Sequence, residues 1–142
     1  MGHPATGEIA KTPTNPKYGQ YGPDVRNGGL KAHNGVDYAG EVGDDVSAMY
    51  DGKVTQIGSK SSLGANNVRT ISTINGKQWN VDYGHLSEAC VRVNELVMTG
   101  DQVGLMGRLG YENTIYPTHV HIQVWRTIDN VQSYVMPSWK EY

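Results

Sequence analysis

Two histidines separated by one residue, His119 and His121, are the strongest sign of chemistry in this sequence. They lie in the run from Thr118 to Trp125, where valine, isoleucine and tryptophan favour a β-strand over a helix. Side chains two positions apart on a strand point to the same face, so the two imidazoles could bind one metal ion or one substrate. The simpler interpretation is a pair of ordinary polar residues on a partly exposed strand, and this pair alone does not decide the matter.

A second pair of candidate ligands, His33 and Asp37, stands four residues apart. That spacing places both side chains on one face of a helix or of an extended strand, and Gly35 and Val36 favour the extended form. An aspartate in a glycine-containing segment is usually a turn residue that hydrogen-bonds its own backbone. Taken with the paired histidines, however, it completes a set of two imidazoles and one carboxylate. This is the donor set of a catalytic zinc site that keeps one position for water.

The chain has a single cysteine, Cys90, with no Cys-x-x-Cys partner. A cysteine zinc cluster and a disulfide within the chain are therefore both excluded. We expect Cys90 to be a small residue that is buried or half-buried.

The fourth histidine of interest, His85, follows a segment in which Trp79, Val81 and Tyr83 alternate with other residues on one predicted strand face. A histidine at the end of that face could reach a substrate, or it could simply bond a loop carbonyl at the end of a strand. His3 belongs to an N-terminal stretch that has the character of a tail. The other four histidines all belong to the proposed site.

The order of these motifs resembles the LytM and lysostaphin type of zinc metallopeptidase, family M23, whose members are peptidoglycan endopeptidases. The resemblance covers about residues 21–125 and includes Tyr83-Gly84-His85-Leu86-Ser87 between the two metal motifs. It implies that His33, Asp37 and His121 bind Zn²⁺, while His85 and His119 flank the water. It also implies a mainly β fold, an antiparallel sheet core of the duplicated-hybrid-motif kind with long loops forming a groove. Leu109 and Ile122 depart from the family pattern, but none of the five site residues does.

The resemblance leaves an enzyme and a non-catalytic relative to be distinguished. Zinc lowers the pKa of a bound water toward ~7 and polarises a carbonyl, so a base and a charge stabiliser are still needed. No His-Glu-x-x-His motif supplies a glutamate, which leaves His85 and His119 jointly for proton transfer and oxyanion stabilisation. The alternative is an M23-like module that binds the cell wall or regulates other hydrolases. Regulatory relatives have lost ligands, and this sequence retains them, so we expect a zinc metalloendopeptidase.

Turn signals and composition predict short strands and no long amphipathic helix. The 18 glycines, nine tyrosines and absence of phenylalanine are typical of many strands joined by turns. Asp51-Gly52 and Asn75-Gly76 each predict a type I′ hairpin. Residues 58–67 form a loop that could overhang a cleft or be an ordinary surface connection. We expect an irregular tail over residues 1–17 and one peptidase domain over residues 18–142.

The formal charge of −2, without a basic patch, argues against nucleic acid as a partner. No run approaches the ~20 apolar residues of a membrane span. The expected partner is a peptidoglycan peptide and the expected state is a monomer. The expected location is outside the cytoplasm, in the periplasm, the cell wall or the medium. The start of the chain lacks the features of a secretory signal. Removal of such a signal would explain this, and so would delivery as a phage lysin or as an injected toxin, with an immunity or inhibitor protein as a further partner in the last two cases.

Overall fold

The computed structural model describes residues 4–5, 19–26, 31–109, 118–135 and 137. This part of the chain contains strands and one 3-10 turn at Ser61–Leu63, and it contains no α-helix. The strands are β1 Gly22–Arg26, β2 Lys31–His33, β3 Val36–Ala39, β4 Asp45–Ser47, β5 Gly52–Ile57, β6 Val68–Ile74, β7 Lys77–Gly84, β8 Leu86–Ala89, β9 Leu96–Val97, β10 Gln102–Met106, β11 His119–Ile128 and β12 Val131–Val135. The predicted mainly β fold is confirmed. The described residues include no helix with the length and apolar character needed to cross a membrane.

The largest sheet has seven strands. Six follow the order β12, β11, β7, β6, β5 and β9, and the seventh, β3, pairs with the first residues of β11, which β12 does not reach. A three-stranded sheet has the order β4, β10 and β8, while β1 and β2 form a separate pair. Every pairing is antiparallel. This antiparallel architecture agrees with the predicted sheet core.

Strand β11 is central to the site because it is paired on both sides. His121 stands opposite Asp37 of β3 on one side and opposite Gly84 of β7 on the other. One residue further along, Ile122 stands opposite Val36 and Tyr83. Side chains alternate between the two faces of a strand, so the polar residues collect on one face and the apolar ones on the other.

The apolar face packs into a core composed of aliphatic side chains with a few aromatic ones. Val36, Val81 and Ile122 are almost completely buried. The Tyr83 side chain is also fully buried, and its hydroxyl accepts a hydrogen bond of 3.0 Å from the Met49 amide. Because strands β3, β7 and β11 share this core, their polar faces are held in a fixed relation at the site.

The hairpin predicted at Asn75-Gly76 is confirmed. It joins β6 to β7, and its two turn residues have φ values of 51° and 76°. Positive φ at both central residues is the geometry of a type I′ turn, and asparagine and glycine tolerate it well. This hairpin sets the register that brings β7 to the site.

The hairpin predicted at Asp51-Gly52 is wrong. Strand β4 pairs with β10 in the small sheet, whereas β5 pairs with β6 and β9 in the large one. The segment therefore passes between the sheets. Asp51 instead accepts hydrogen bonds from the amide and hydroxyl of Thr99, at 2.7 and 3.0 Å. Gly52 is needed for close approach, because a Cβ there would lie 2.5 Å from the hydroxyl of Ser72.

The expectation that Cys90 is buried or half-buried is also wrong. Its side chain is exposed, in the turn region that follows β8. In the loop predicted over residues 58–67, Leu63 is buried and anchors the 3-10 turn. The predicted groove between long loops stays a prediction, and residues 110–117 lie outside the described residues.

The predicted division into a tail and one domain stays a prediction. Within residues 1–17, the structure describes Pro4 and Ala5, where the Pro4 carbonyl accepts a hydrogen bond of 2.8 Å from Ser47. Near the other end, strand β12 pairs with β11 at the edge of the large sheet.

Candidate metal centre

The centre is built from the end of β2, from β3 and from β11. His33 is the last residue of β2, and the tight Asn34-Gly35 connection leads straight into β3, which carries Asp37. His121 lies opposite Asp37 in the β3–β11 register. Antiparallel pairing thus places residues distant in sequence side by side, and all three are buried.

Three nitrogen and oxygen atoms converge at this point. The distances are 3.2 Å between His33 Nε2 and His121 Nδ1, 3.4 Å between His33 Nε2 and Asp37 Oδ1, and 2.7 Å between His121 Nδ1 and Asp37 Oδ1. Donor atoms of a tetrahedral zinc ion, each about 2.0–2.1 Å from the metal, lie about 3.3 Å from one another. The spacing of the three atoms is therefore close to that of a metal-binding set.

Hydrogen bonds on the far side of each imidazole fix which ring atoms point inward. His33 Nδ1 lies 2.9 Å from the carbonyl of Gln20, and a carbonyl can only accept, so this nitrogen carries the proton. His121 Nε2 lies 3.0 Å from the side-chain oxygen of Gln123 and carries its proton in the same way. In the neutral rings, the two inward nitrogens therefore present lone pairs beside a carboxylate oxygen. Three converging acceptors repel one another unless a cation lies among them, so the donor set fits a metal ion.

The carboxyl group of Asp37 is held in its charged form. Burial alone would raise its pKa, but hydrogen bonds from the imidazoles of His121 and His33, together with the positive charge of His121, outweigh this effect when these rings are protonated and hold the pKa well below the ordinary value. Asp37 thus contributes a full negative charge to a buried site. Such a charge is stable in the interior only when it is paired or binds a metal.

His119 and His85 stand beside this centre. His119 Nε2 lies 3.4 Å from the second carboxylate oxygen of Asp37. The ring of His85 meets that of His119 edge to face at 5.3 Å between centroids and lies 6.1 Å from that of His121. The structure therefore brings all four histidines and Asp37 together, as the sequence predicts.

Backbone groups hold His85 in a particular orientation. The residue has a φ of 67°, its amide donates to the Leu63 carbonyl at 2.7 Å, and its Nδ1 donates to the Leu109 carbonyl at 2.6 Å. Its Nε2 is consequently the ring atom with a lone pair. Burial lowers the pKa of His85 from 6.5 to about 4, and the Leu109 bond only partly opposes this. This lowered pKa favours the neutral imidazole of His85 at pH 7.

Three further polar residues lie behind the centre, and the sequence analysis does not predict them; the first of them, Gln123, contacts His121 directly. Gln123 bonds His121, as described above. Its amide nitrogen donates to Asp82 at 2.8 Å, and Asp82 forms an ion pair with Arg69 at 2.7 Å. Gln123 could have been predicted from the sequence, because it continues the alternation of His119 and His121 on one strand face.

Fold and site together define a class of protein, an antiparallel β-sheet domain in which two histidines and one carboxylate could hold a metal ion, with two further histidines beside them. Residues 31–133 match the family model described as Peptidase family M23, and the chain belongs to this family.

Three relatives illustrate the family. The chain is 36% identical over 107 residues to the glycyl-glycine endopeptidase ALE-1 of Staphylococcus capitis, a match that covers 75% of this chain and 27% of that protein. It is 35% identical over 107 residues to lysostaphin of Staphylococcus simulans, covering 75% and 20%. A protein of Buchnera aphidicola named as an uncharacterized metalloprotease is 30% identical over 66% of this chain and 23% of its own length. The matched segment is thus about a quarter or less of each relative.

The fold comparison agrees with the sequence comparison. The solved catalytic domain of the antimicrobial peptidase lysostaphin from Staphylococcus simulans has a TM-score of 0.63 and 31% identity to this chain. That match covers 80% of this chain and 84% of the solved domain. The part of lysostaphin that this chain resembles is therefore its catalytic domain.

Proposed function

We propose that this chain is a zinc-dependent endopeptidase that hydrolyses peptide bonds in bacterial peptidoglycan, either in cross-links or in stem peptides. The observation that carries the proposal is the convergence of His33, Asp37 and His121 with two further histidines at one buried point. The similarity to a protein named as a glycyl-glycine endopeptidase supports peptide hydrolysis as the reaction.

His33, Asp37 and His121 would hold the ion through Nε2, Oδ1 and Nδ1. Two histidines and one carboxylate with an open position also suit iron, but hydrolysis of a peptide bond, the kind of reaction that the name metalloprotease of one relative implies, needs no redox-active metal and so favours zinc. When bound, zinc supplies a Lewis acid and lowers the pKa of a coordinated water toward ~7. The single carboxylate ligand leaves the centre with a net positive charge, which favours anionic groups at the reacting carbon.

His85 and His119 carry the proton chemistry in this proposal. Peptide hydrolysis requires that a proton leave the attacking water and that the departing amine gain one. The Leu109 bond directs the lone pair of His85 Nε2 away from the backbone, and the lowered pKa keeps this ring neutral. His119, whose Nε2 lies close to Asp37, is positioned to support charge that develops at the substrate carbonyl.

The remaining parts of the proposal follow from the substrate. Peptidoglycan places the working location outside the cytoplasm, whether the chain arrives by secretion, as a phage lysin or as an injected effector. An immunity or inhibitor protein would be a further partner in the last two cases. The formal charge of −2 supplies no basic surface for nucleic acid, and we propose that the domain acts as a monomer.

The experiment that tests the proposal is digestion of purified cell walls that differ in cross-bridge chemistry. The zinc-loaded protein should release new amine termini, and mass analysis of the fragments should identify the bond cut. The variant D37N removes one proposed ligand, and D51N makes the same carboxylate-to-amide change at a remote turn, so it is the matched control. Wall binding without release of amines by the zinc-loaded protein would overturn the proposal in favour of a binding or regulatory module.

A further inference from the structure

A row of three polar side chains runs across the large sheet and ends on the proposed ligand His121. Gln123 of β11 stands opposite Asp82 of β7, and Asp82 stands opposite Arg69 of β6. Residues directly opposite on antiparallel strands have neighbouring side chains on the same face. The three residues therefore form a line at right angles to the strands, two residues along β11 from the Gly84–His121 pair.

The contacts in the row are short; those between Gln123 and its neighbours are buried, and those of Arg69 are partly buried. Arg69 donates to both oxygens of Asp82, from Nε at 2.7 Å and from Nη2 at 3.2 Å. Gln123 Nε2 donates to Asp82 Oδ2 at 2.8 Å, and Gln123 Oε1 lies 3.0 Å from His121 Nε2. Asp82 is completely buried and Gln123 is nearly so.

The chemistry of these groups gives the row a direction. A guanidinium can only donate and an ionised carboxylate can only accept, so the amide nitrogen of Gln123 must face Asp82. Its oxygen then faces His121 and must receive a proton from Nε2. The remaining ring nitrogen, Nδ1, is left with the lone pair that points to Asp37 and His33.

We infer that Arg69, Asp82 and Gln123 are positioning residues that fix the tautomer and ring orientation of His121 for metal binding. The inference rests on the proposed metal site. Groups that orient a ligating histidine through its other nitrogen influence metal affinity although they do not touch the metal.

The composition of the row supports this role over simple packing. A buried ion pair is often no more stabilising than apolar side chains of the same volume, so the fold alone does not require one here. Asp82 nevertheless receives an additional donor, because Trp125 Nε1 bonds its Oδ2 at 2.9 Å. The guanidinium of Arg69 also lies 4.8 Å above the Trp125 ring. Both contacts hold the carboxylate in the one orientation that faces Gln123.

The test measures zinc affinity by competition with a chelator, together with the melting temperature of the metal-free protein. D82N removes the obligatory acceptor, so the Gln123 amide can turn over and its nitrogen can face His121. We expect zinc affinity to fall about 10- to 100-fold. Q123M keeps the Asp82–Arg69 pair intact and should show a similar fall, which covers the case in which D82N folds poorly. D51N is the matched control and should bind zinc like the wild type.

A double variant, D82N with Q123E, tests whether the donor-to-acceptor order of the hydrogen bonds matters, and not only whether the side chains are in contact. The new carboxylate at position 123 can only accept, so it again takes the proton of His121 Nε2, while the amide at position 82 donates to it. We expect most of the lost zinc affinity to return, although the Trp125 donor loses its acceptor. In the cadmium-loaded protein, ¹⁵N NMR should show a protected Nε2 proton on His121 in the wild type and the double variant, and fast exchange in D82N.

The outcomes separate this inference from the site itself. If H121A binds zinc like the wild type, the proposed site is wrong. If H121A loses zinc while D82N and Q123M keep wild-type affinity and a protected Nε2 proton, the site stands and the positioning role is overturned. Equal zinc affinity in D82N and in the double variant would also overturn it.

Discussion

Gly35 lies against the ring of His121. A Cβ at Gly35 would lie 2.8 Å from Cε1 and 2.9 Å from Nε2 of that imidazole, and closer still to the backbone oxygen of Ile122. Contacts shorter than 3.0 Å are closer than a Cβ atom can pack against its neighbours. The absence of a side chain at position 35 therefore allows the His33–Asp37 segment to close over β11, and it joins the two halves of the metal centre.

We expect G35A to weaken both the fold and the metal site. Its cost is steric, because the added methyl group meets a ligand ring and a backbone oxygen, and overpacking of this kind costs about 1–3 kcal/mol. G76A is the matched control, since a Cβ there meets nothing within 4 Å but is strained by a φ of 76°. Thermal unfolding should show a loss for both variants, while zinc competition should show weaker binding only for G35A. Wild-type zinc affinity in G35A would refute this account.

Elements of the fold could be predicted from the sequence where the residues of the element determine its conformation. Asn75-Gly76 determines a turn by its own backbone preferences, and the alternation from Trp79 to Tyr83 marks a strand with a buried face. Asp51-Gly52 carries the same turn signature yet connects two different sheets. The Asp51 carboxylate accepts a hydrogen bond from Thr99, a residue 48 positions away. Such a distant contact cannot be predicted from a local sequence pattern.

The grouping of the four histidines with Asp37 could be predicted from the sequence, because histidines are few and their spacing matches strand geometry. The row behind His121 was not readable, because Asp82 and Arg69 are ordinary polar residues of predicted strands. They become neighbours of the site only through the pairing of β6 with β7 and of β7 with β11. Pairing partners depend on the whole topology, which a single sequence does not state. Cys90 was misjudged for a related reason, since its exposure depends on where the chain leaves β8.

Substitutions of His119 and of His121 should have different effects on zinc binding and turnover, although both side chains lie beside the carboxylate of Asp37. His121 Nδ1 lies 2.7 Å from Asp37 Oδ1 within the converging set, while His119 Nε2 lies 3.4 Å from Oδ2. We expect H121A to lose zinc and activity together. H119A should retain zinc but lose about 10²- to 10³-fold in turnover, the usual cost of removing one group that stabilises charge at the substrate carbonyl. Zinc content after gel filtration and the rate of amine release measure the two effects, and near-normal turnover in H119A would contradict its role.

His85 offers a second separation of binding from turnover. Its positive φ is tolerated best by asparagine and glycine, so H85N is a safer variant than H85A for preserving the backbone. We expect H85N to bind zinc normally and to lose about 10²- to 10⁴-fold in turnover, because no lone pair of similar basicity replaces Nε2. Zinc competition and wall digestion on the same preparation provide the measurement. If turnover stays within a few fold of the wild type, His85 does not transfer the proton.

The hydrogen bonds of Asp51 should make the thermal stability of the fold depend on pH, and this dependence should not require the metal. Hydrogen bonds from the Thr99 amide and hydroxyl lower the pKa of Asp51 below its ordinary value of 3.8. The folded state thus favours the ionised form, so the stabilisation is complete above the unfolded pKa of ~3.9 and is lost as pH falls through the folded value. In metal-free protein, D51N should melt below the wild type at pH 7. The gap should narrow as the pH is lowered from about 4 toward 2, because the protonated aspartate then resembles the amide. Melting curves of both proteins across this range provide the measurement, and a gap that widens on acidification would show that Asp51 is not held as an anion.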